Sequence, residues 1–423
     1  MVVIGAGVAG LAATALLKQA GAEVCCVEAS DRIGGRIYTV RDRASALPIE
    51  LGAEFVHGRP PEIWDLIHNC SLCAYEHTAR ALYFDHGRIR KDGDVGEPAG
   101  RVLEKMAKSS RQRDESFEQY LRRSHHRPEA KDWARVYVEG FNAARSDSIS
   151  VASLESEGEA AEKIDGDRTF RIADGYDAIA HALLQSIPDH PSTVLFNLPV
   201  ERVVWQRGQV TLECAQSVDG VRETIRCRRV VITVPLGVLQ TSGIRFEPEP
   251  AALRAARALR FGQVYRVTLR FAERFWEDNP KLQDIGFLVS KDRHFFTWWT
   301  MHPVITPLLT AWMAGTAADG FRPPSPAVAV RSALASLGRI LQIEPPRPEA
   351  FYFHNWRNDP YFRGAYSYVP AGSAGAREAL AAPEFGTLYF SGEAAAVDGH
   401  GSTVHGAIAA GRRAGLLVLG KRD

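Results

Sequence analysis

The fold class predicted for this chain is α/β, with a nucleotide-binding unit interleaved with an α+β unit, and three sequence patterns predict it. The N-terminus reads as a strand, a glycine-rich turn, a helix and a second strand. Another strand, closed by glycine and an acid and followed by a helix, lies near the C-terminus. Between them, residues 261–314 alternate as the strands of an antiparallel sheet do.

The N-terminal pattern is typical of a βαβ dinucleotide-binding unit. The apolar run Val2–Ile4 leads directly into Gly5, Gly7 and Gly10, and an Ala/Leu-rich helix follows. These glycines allow a tight turn, let a pyrophosphate approach the helix N-terminus, and seat the helix on the strand. Glu28 ends the next strand and is placed to bind a ribose hydroxyl. The pattern alone leaves NAD and FAD open.

The residues that follow Glu28 favour FAD. Gly35 and Arg36 lie where a long dinucleotide continues past its pyrophosphate, and a planar guanidinium matches phosphate oxygens bidentately. Near the C-terminus a strand ends at Gly392–Glu393, and Thr403–Val404 open a helix of small residues. The positive end of that helix suits the negative charge that a reduced flavin develops. The sequence therefore predicts a Rossmann-type FAD-binding domain.

The cofactor motifs divide the chain into alternating segments. Segments 1–60, 172–245 and 380–423 carry these motifs and are predicted to form the FAD-binding domain. Segments 61–171 and 246–379 are predicted to form the substrate-binding domain, an antiparallel sheet backed by helices. The first of these two segments reads as mostly helical.

Alternation assigns several side chains of the predicted sheets to faces. The stretch after residue 263 places one set of side chains opposite another: Val264, Arg266, Thr268 and Arg270 against Tyr265, Val267, Leu269 and Phe271. Trp298 and Trp299 are consecutive on a strand, so only one of them can line a cavity. Residues 194–212 read as two strands with a turn at Arg207–Gly208.

Composition indicates a soluble enzyme. The chain has 51 Lys and Arg against 50 Asp and Glu, a net charge of +1, so no global field attracts nucleic acid or an anionic membrane. No apolar run is long enough to span a bilayer, and no signal peptide is recognised. Cys70 and Cys73 have no second cysteine pair at metal-ligand spacing, so no metal site is expected. We expect a cytoplasmic location.

The chain resembles the flavin-containing amine oxidase family of monoamine oxidases, polyamine oxidases and lysine-specific histone demethylases, with a pattern most similar to polyamine oxidases. Six stretches carry the resemblance, in family order: Gly5–Arg36, Glu50–Gly58, Val231–Leu239, Phe261–Trp276, Trp356–Gly372 and Gly392–Gly406. Together they are highly specific. No inserted helical tower or chromatin-binding module fits in the chain, so histone demethylation is not expected.

The resemblance implies that FAD contacts residues from the whole chain: Gly5, Gly7, Ala9, Gly10, Glu28, Ala29, Gly35, Arg36, Gly52, Ala53, Glu54, Phe55, Val200, Gly392, Glu393, Thr403 and Val404. The backbone of Val200 is expected against the adenine. Ala365 occupies the position where monoamine oxidases carry the cysteine bonded to flavin, so FAD is expected to be non-covalent. The oligomeric state is not predicted.

The resemblance also implies a set of catalytic side chains. Tyr366 and then Trp356 are expected as walls of an aromatic amine cage, with a core position as the alternative for Trp356. His57 is expected to orient the amine or help to deprotonate it, or else to be an ordinary strand-end histidine. The carboxylate of Glu54 pairs either with a distal ammonium of a polyamine or with a nearby arginine. Arg266 stands where the family carries a lysine that holds a water against the flavin, which puts rapid reaction with oxygen in doubt.

These observations predict an amine oxidase. A neutral amine, with a polyamine or secondary amine favoured, would give hydride to FAD, and the imine would hydrolyse while O2 is reduced to H2O2. The predicted partners are thus a small-molecule amine and O2, with no nucleic acid and no membrane. The alternatives are an FAD-dependent dehydrogenase or desaturase with another acceptor, suggested by Arg266, and a non-catalytic FAD-bound scaffold.

Overall fold

The computed structural model of the protein describes residues 1–78, 80–85, 87–109, 113–216 and 222–421. The residues between these ranges, and the last two of the chain, fall in predicted domain segments but lie outside the described residues.

Short strands and helices alternate along the chain. The strands are β1 Val2–Ile4, β2 Cys25–Val27, β3 Thr39–Val40, β4 Ile49–Glu50, β5 Val56–His57, β6 Ala74–Glu76, β7 Arg80–Asp85, β8 Arg88–Arg90, β9 Thr169–Ile172, β10 Val194–Leu195, β11 Val200–Gln206, β12 Gln209–Gln216, β13 Arg222–Cys227, β14 Val230–Ile232, β15 Arg245–Glu247, β16 Arg260–Phe261, β17 Val264–Arg270, β18 Ile285–Ser290, β19 Thr297–Trp299, β20 Leu308–Ala314, β21 Ala350–Tyr352, β22 Ser367–Tyr368 and β23 Leu388–Phe390. The helices are α1 Val8–Gln19, α2 Pro61–Asn69, α3 Asp92–Ala107, α4 Phe117–Arg123, α5 Pro128–Asn142, α6 Val151–Glu162, α7 Asp177–Gln185, α8 His190–Thr193, α9 Leu236–Gln240, α10 Ala252–Ala258, α11 Gly315–Gly320, α12 Pro326–Leu341, α13 Ala376–Ala381 and α14 Val404–Val418, with 3₁₀ turns at Phe275–Asp278 and Glu393–Ala395.

The N-terminal strand lies at the centre of a parallel sheet with strand order β10–β2–β1–β14–β23. Val3 is opposite Cys26 on one side and Val231 on the other. Helices cover one face and a second sheet covers the other, so these strands are apolar throughout. The predicted βαβ unit is confirmed, and its sheet collects strands from distant parts of the chain.

The first and last helices pack together on this sheet. A Cβ at Gly411 of α14 would lie 2.1 Å from the carbonyl oxygen of Ala9 in α1. Only glycine permits this backbone contact, which brings the N-terminal ends of both helices to the same side of the sheet.

A separate seven-stranded sheet has the strand order β21–β17–β20–β19–β18–β7–β8. Tyr265, Val267 and Leu269 pack with α12 on one face, while Arg266 lies on the other, as the alternation predicted. Its neighbouring strands are antiparallel apart from β7 and β18, which are parallel.

The expectation of a mostly helical segment 61–171 is only partly right. Helices α2 to α6 are present, but β6 to β9 also lie there. β7 alternates, with Leu82 and Phe84 buried, and it pairs with β18 about 200 residues along the chain. Such a short strand is defined by that distant partner. Among the described residues, no helix is both long and apolar enough to cross a membrane.

Candidate active site

The turn between β1 and α1 presents open backbone donors. Gly7 is the N-cap of α1, no described side chain caps the helix, and its first turn has no acid. Gly5 has φ +102°, and a Cβ there would lie 2.8 Å from Thr233 Oγ1. A Cβ at Gly10 would lie 1.8 Å from the Gly5 carbonyl oxygen. The glycines thus close the turn and seat the helix, and the uncapped N–H groups suit an anion.

Glu28 lies beside this turn at the end of β2. Its Oε2 accepts a hydrogen bond from the Ala6 N–H at 2.7 Å, and its Oε1 accepts from the Ser30 N–H at 2.9 Å. Next to it, Leu195 and Phe196 expose 37% and 39% of their surface. This apolar pair was not predicted from the sequence, although nucleotides bind at the carboxyl ends of parallel strands.

Two other residues predicted near the adenosine differ in accessibility. Ala29 is half-buried next to Glu28. The Val200 side chain is buried, and Val200 is paired with Cys214 in a neighbouring strand. Only the main chain of Val200 is therefore a candidate for contact with an adenine.

Arg36 and Glu393, predicted from opposite ends of the chain, form an ion pair. Arg36 Nη1 lies 2.8 Å from Glu393 Oε1 and donates to the Ala365 carbonyl oxygen at 2.6 Å. Burial disfavours the Glu393 charge, but Arg36, Arg377 and the Ser367 hydroxyl outweigh it and hold the pKa of this carboxyl below its usual range.

The second glycine turn lies against the first. A Cβ at Gly35, which has φ +61°, would lie 3.2 Å from the Gly7 Cα. Gly34 also donates its N–H to the Ala6 carbonyl oxygen at 2.9 Å. The close approach brings Gly35, the neighbour of Arg36 in the chain, to the start of α1, and the contact of Arg36 with a pyrophosphate stays a prediction.

The start of α14 presents a further set of open donors. Thr403 is the N-cap, and its Oγ1 accepts from the Gly406 N–H at 3.0 Å. Among the described residues, the N–H groups of Val404 and His405 have no hydrogen-bond partner. Ser391 Oγ, in the turn before Gly392, is also buried without one. These orphan donors fit one end of a long dinucleotide whose other end lies at α1.

The segment between β4 and β5 passes close to Arg36. A Cβ at Gly52 would lie 1.9 Å from the Arg36 carbonyl oxygen, and the Ala53 N–H donates to the same oxygen at 3.1 Å. Trp356 packs beneath Gly52, with Cζ2 3.1 Å from that Cβ position, and its Nε1 donates to the Leu51 carbonyl oxygen at 2.8 Å. Trp356 is 5% exposed, so it supports this segment from the core side.

Glu54 is held between two buried arginines. Its Oε1 lies 2.6 Å from Arg171 Nη2, and its Oε2 lies 2.6 Å from Arg266 Nη2 and 3.1 Å from Trp299 Nε1. Arg266 Nη1 also donates to the Gly52 carbonyl oxygen at 3.0 Å. Of the two expectations for Glu54, the pairing with arginine is therefore the one found. Both oxygens of this carboxylate are thus engaged by protein donors.

The side chain of Arg266 is buried, and one of its nitrogens has no hydrogen-bond partner among the described residues. Burial lowers its pKa, against the opposing charges of Glu54 and Glu50. Its guanidinium carbon lies 5.5 Å from the centre of the Trp299 ring, and its Nε has no hydrogen-bond partner among the described residues. Of the two consecutive tryptophans, Trp299 faces the site and Trp298 lies in the core of the sheet.

Arg171 was not singled out from the sequence. It lies in β9 between Phe170 and Ile172, and all three side chains are buried. An arginine inside a short apolar strand is the signal that could have found it, because a buried cation requires a partner. Glu50 completes the cluster with a second acid, whose pKa burial raises to about 7. A small cavity of about 20 Å³ next to both acids has room for one water.

Aromatic rings and a histidine lie next to the same segment. Tyr366 donates its hydroxyl to the Phe141 carbonyl oxygen at 2.8 Å, and the Phe141 and His57 rings meet edge to face at 5.4 Å. Phe55 is half-buried, and its ring contacts the rings of both His57 and Trp299. Burial lowers the pKa of His57 to about 4, so this ring is neutral near pH 7. Burial raises the pKa of the Tyr366 hydroxyl.

The chain is similar to known proteins over nearly its whole length. Residues 8–418 match the family described as flavin containing amine oxidoreductase. The chain is 28% identical to polyamine oxidase 5 of Oryza sativa subsp. japonica, covering 97% of this chain and 86% of that protein. It is 29% identical to the lysine-specific histone demethylase 1 homolog 2 of the same plant, covering 99% of this chain but 57% of that protein.

Among solved structures, a putrescine oxidase bound to putrescine superposes with a TM-score of 0.82 at 21% identity, over 99% of this chain and 98% of that one. The likeness shows the predicted fold of an FAD-binding and a substrate-binding domain, while the domain boundaries stay a prediction. The open donors at α1 and α14 and the absence of a thiol at Ala365 fit FAD held without a covalent bond. With a family match over nearly its whole length, the chain belongs to the flavin containing amine oxidoreductases, and FAD is its cofactor.

Proposed function

We propose that the protein oxidises a polyamine or a secondary amine to an imine, with O2 as the electron acceptor. FAD, when bound, accepts the hydride from the carbon next to nitrogen. Water then hydrolyses the imine, and O2 is reduced to H2O2. The observation that carries this proposal is the aromatic group of Tyr366, Phe141 and His57 beside the Gly52–Phe55 segment, because it provides an apolar, uncharged place for an amine.

Tyr366, Phe141 and His57 would bind the amine and favour its neutral form before the oxidation. The rings of Tyr366 and Phe141 wall the site, and an ammonium that packs against them would exchange part of its hydration for apolar contacts and lose its proton more easily. His57 remains neutral because of its burial, so it does not repel a cationic substrate, and a ring nitrogen can accept a hydrogen bond from the amine. Trp356 would act through Gly52, by fixing the backbone that contacts the cofactor.

An amine panel tests the proposal. We expect polyamines and secondary amines to bleach the visible flavin absorbance under anaerobic conditions, faster as pH rises, because the neutral amine reacts. Tyr366→Ala should slow the bleaching far more than it weakens FAD binding, while Tyr361→Ala, in the same motif but 38% exposed, should change neither. If no amine bleaches a protein that binds FAD, amine oxidation is contradicted, and the non-catalytic FAD-bound scaffold and the desaturase are the alternatives left.

A second candidate function is an FAD-dependent dehydrogenase or desaturase with another acceptor. It is favoured by the contacts of Arg266, whose Nη1 and Nη2 are engaged with Gly52 and Glu54. A guanidinium committed to two partners has little freedom to hold a water for oxygen chemistry. Slow aerobic turnover together with rapid turnover on a quinone or dye would support this candidate.

A further inference from the structure

The face of the seven-stranded sheet that carries Arg266 also carries a tryptophan that was not singled out from the sequence. Trp312 lies in β20, opposite Arg266 in β17 and Thr297 in β19. We propose that Trp312 limits the width of the amine site, so that the protein selects open-chain amines over cyclic amines of the same carbon number. The inference rests on the proposed amine oxidation.

The accessible surface of Trp312 faces the proposed amine site. β20 is an inner strand, with β17 on one side and β19 on the other, so its side chains project only from the two faces of the sheet. The chain neighbours Ala311 and Met313 point to the opposite face, where both are fully buried in the core. Trp312 is half-buried, so the part that stays accessible lies on the face of Arg266.

The indole of Trp312 is fixed at the end of α5, which also holds the amine cage. Its Nε1 donates to the Gly140 carbonyl oxygen at 2.9 Å, and the next carbonyl oxygen, that of Phe141, accepts from the Tyr366 hydroxyl at 2.8 Å. Trp312 and Tyr366 also pack against one buried cluster, formed by Ala143, Val264 and Ala314. Trp312 and Tyr366 are therefore neighbouring walls, and the same helix end fixes both.

On its other side Trp312 completes a closed chain of aromatic contacts. The ring centres of Trp312 and Trp299 lie 5.8 Å apart, and those of Trp299 and Phe55 lie 5.6 Å apart. The rings of Phe55 and His57 are 6.2 Å apart, and those of His57 and Phe141 are 5.4 Å apart. The hydrogen bond between Phe141 and the cage tyrosine closes the chain, so six side chains surround one space.

A space surrounded by rings discriminates between substrates by their width. An open carbon chain is narrow along its whole length, whereas a saturated six-membered ring is wider and must displace a wall. Trp312 can yield little, because its strand is paired on both sides and its indole is bonded to Gly140. Trp299 is also fixed, by Glu54, but it is only 5% exposed and offers little surface to a substrate. Trp312 is therefore the wall that sets the width.

The test compares hexylamine with cyclohexylamine, and the N-methyl derivatives of both, in the FAD-bound protein. The members of each pair have the same number of carbons and nitrogens, so they differ mainly in width. The natural protein should prefer the open-chain amine in kcat/KM by roughly 10- to 200-fold, the usual discrimination of a hydrophobic pocket for one methylene group. An amine that is not oxidised is compared through its inhibition of the best substrate in the panel.

Two variants separate the width of the wall from its hydrogen bond. Trp312→Leu removes the indole and should abolish most of the preference by raising kcat/KM for the cyclic amine, while the open-chain amine changes less. Trp312→Phe keeps a ring in place but loses the donor to the Gly140 carbonyl oxygen, so it should retain most of the preference. It is the matched control for a displaced α5.

Three outcomes would overturn the inference. The first is a natural protein with no preference between the open-chain and the cyclic amine, which needs no variant to fold. The second is an equal loss of rate for both amines in Trp312→Leu, because a general structural defect affects both alike. The third is loss of the preference in Trp312→Phe as well, which would assign it to the bond with Gly140. A protein that oxidises amines regardless of width retains the proposed function, whereas one that oxidises no amine contradicts the proposed function itself.

Discussion

Replacing Arg266 by lysine tests two roles of this residue separately: its contribution to the stability of the fold and its effect on the reaction of the reduced enzyme with O2. In the structure Arg266 Nη2 lies 2.6 Å from the Glu54 carboxylate and Nη1 donates to the Gly52 carbonyl oxygen at 3.0 Å, whereas Nε has no partner among the described residues. A lysine ammonium is compact and can keep the ion pair with Glu54, but it cannot reach both partners in the fixed fork of arginine. The substitution thus gives up one buried hydrogen bond and frees ammonium donors for a water.

The magnitudes follow from these contacts. Loss of one charge-assisted hydrogen bond should lower the free energy of unfolding by about 1.5–3 kcal/mol. A donor correctly placed for the charge that develops on oxygen is commonly worth about 10²- to 10³-fold in rate. We therefore expect Arg266→Lys to be less stable than the natural protein but faster, by up to this factor, in the reaction of the reduced enzyme with O2. Its reduction by amine should change less.

Stopped-flow mixing of the amine-reduced enzyme with O2 measures this half-reaction alone, and urea unfolding of the FAD-bound protein measures stability. Arg270→Lys is the matched control, because Arg270 lies on the same face of the same strand but binds Glu349 and Asp42 at the surface. The reasoning is refuted if the natural protein already reacts with O2 as fast as the lysine variant. Arginine would then be an adequate replacement, and the dehydrogenase alternative would lose its main support.

Three further predictions concern the charges and the cofactor. Glu54→Gln leaves two buried guanidinium groups without their shared carboxylate and should lower the free energy of unfolding by about 3–5 kcal/mol in urea, whereas Glu76→Gln, which breaks an exposed pair, should change it little. Because burial holds the folded pKa of His57 at about 4, below its usual 6.5, the unfolded chain binds more protons between these values. Stability should therefore rise with pH across that window, and His57→Gln should flatten the rise; an unchanged slope would count against a neutral buried ring. Acid precipitation should release free FAD, since Ala365 has no thiol, and yellow colour retained in the pellet would contradict non-covalent binding.

Much of the fold could be predicted because its signals are local. The βαβ unit is formed by residues that follow one another in the sequence. The alternation within β17 correctly assigned Arg266 and Tyr265 to opposite faces. The strands within 61–171 were missed because β7 is defined by a partner about 200 residues away.

The site was predicted as a set of residues but not as a set of contacts. Arg36 and Glu393 were both expected at FAD, and the sequence offered no means of seeing that they pair with each other. The partner of Glu54 depends on the register of β5 against β9, where Val56 lies opposite Phe170. That register brings Arg171 to Glu54, and no local pattern contains it.

If the proposed cage binds the amine, the distribution of charge around it would admit an ammonium and lower the pKa of that ammonium. Behind the Gly52–Phe55 segment, Glu54 pairs with both Arg171 and Arg266, and the nearby acid Glu50, whose pKa burial raises to about 7, offsets the remaining positive charge in part. In front of it, His57 is neutral and the walls are aromatic. Neither the neutral ring of His57 nor the aromatic walls repel an ammonium that enters. The ammonium loses water there and gains no anionic partner at the reacting nitrogen, so its pKa must fall.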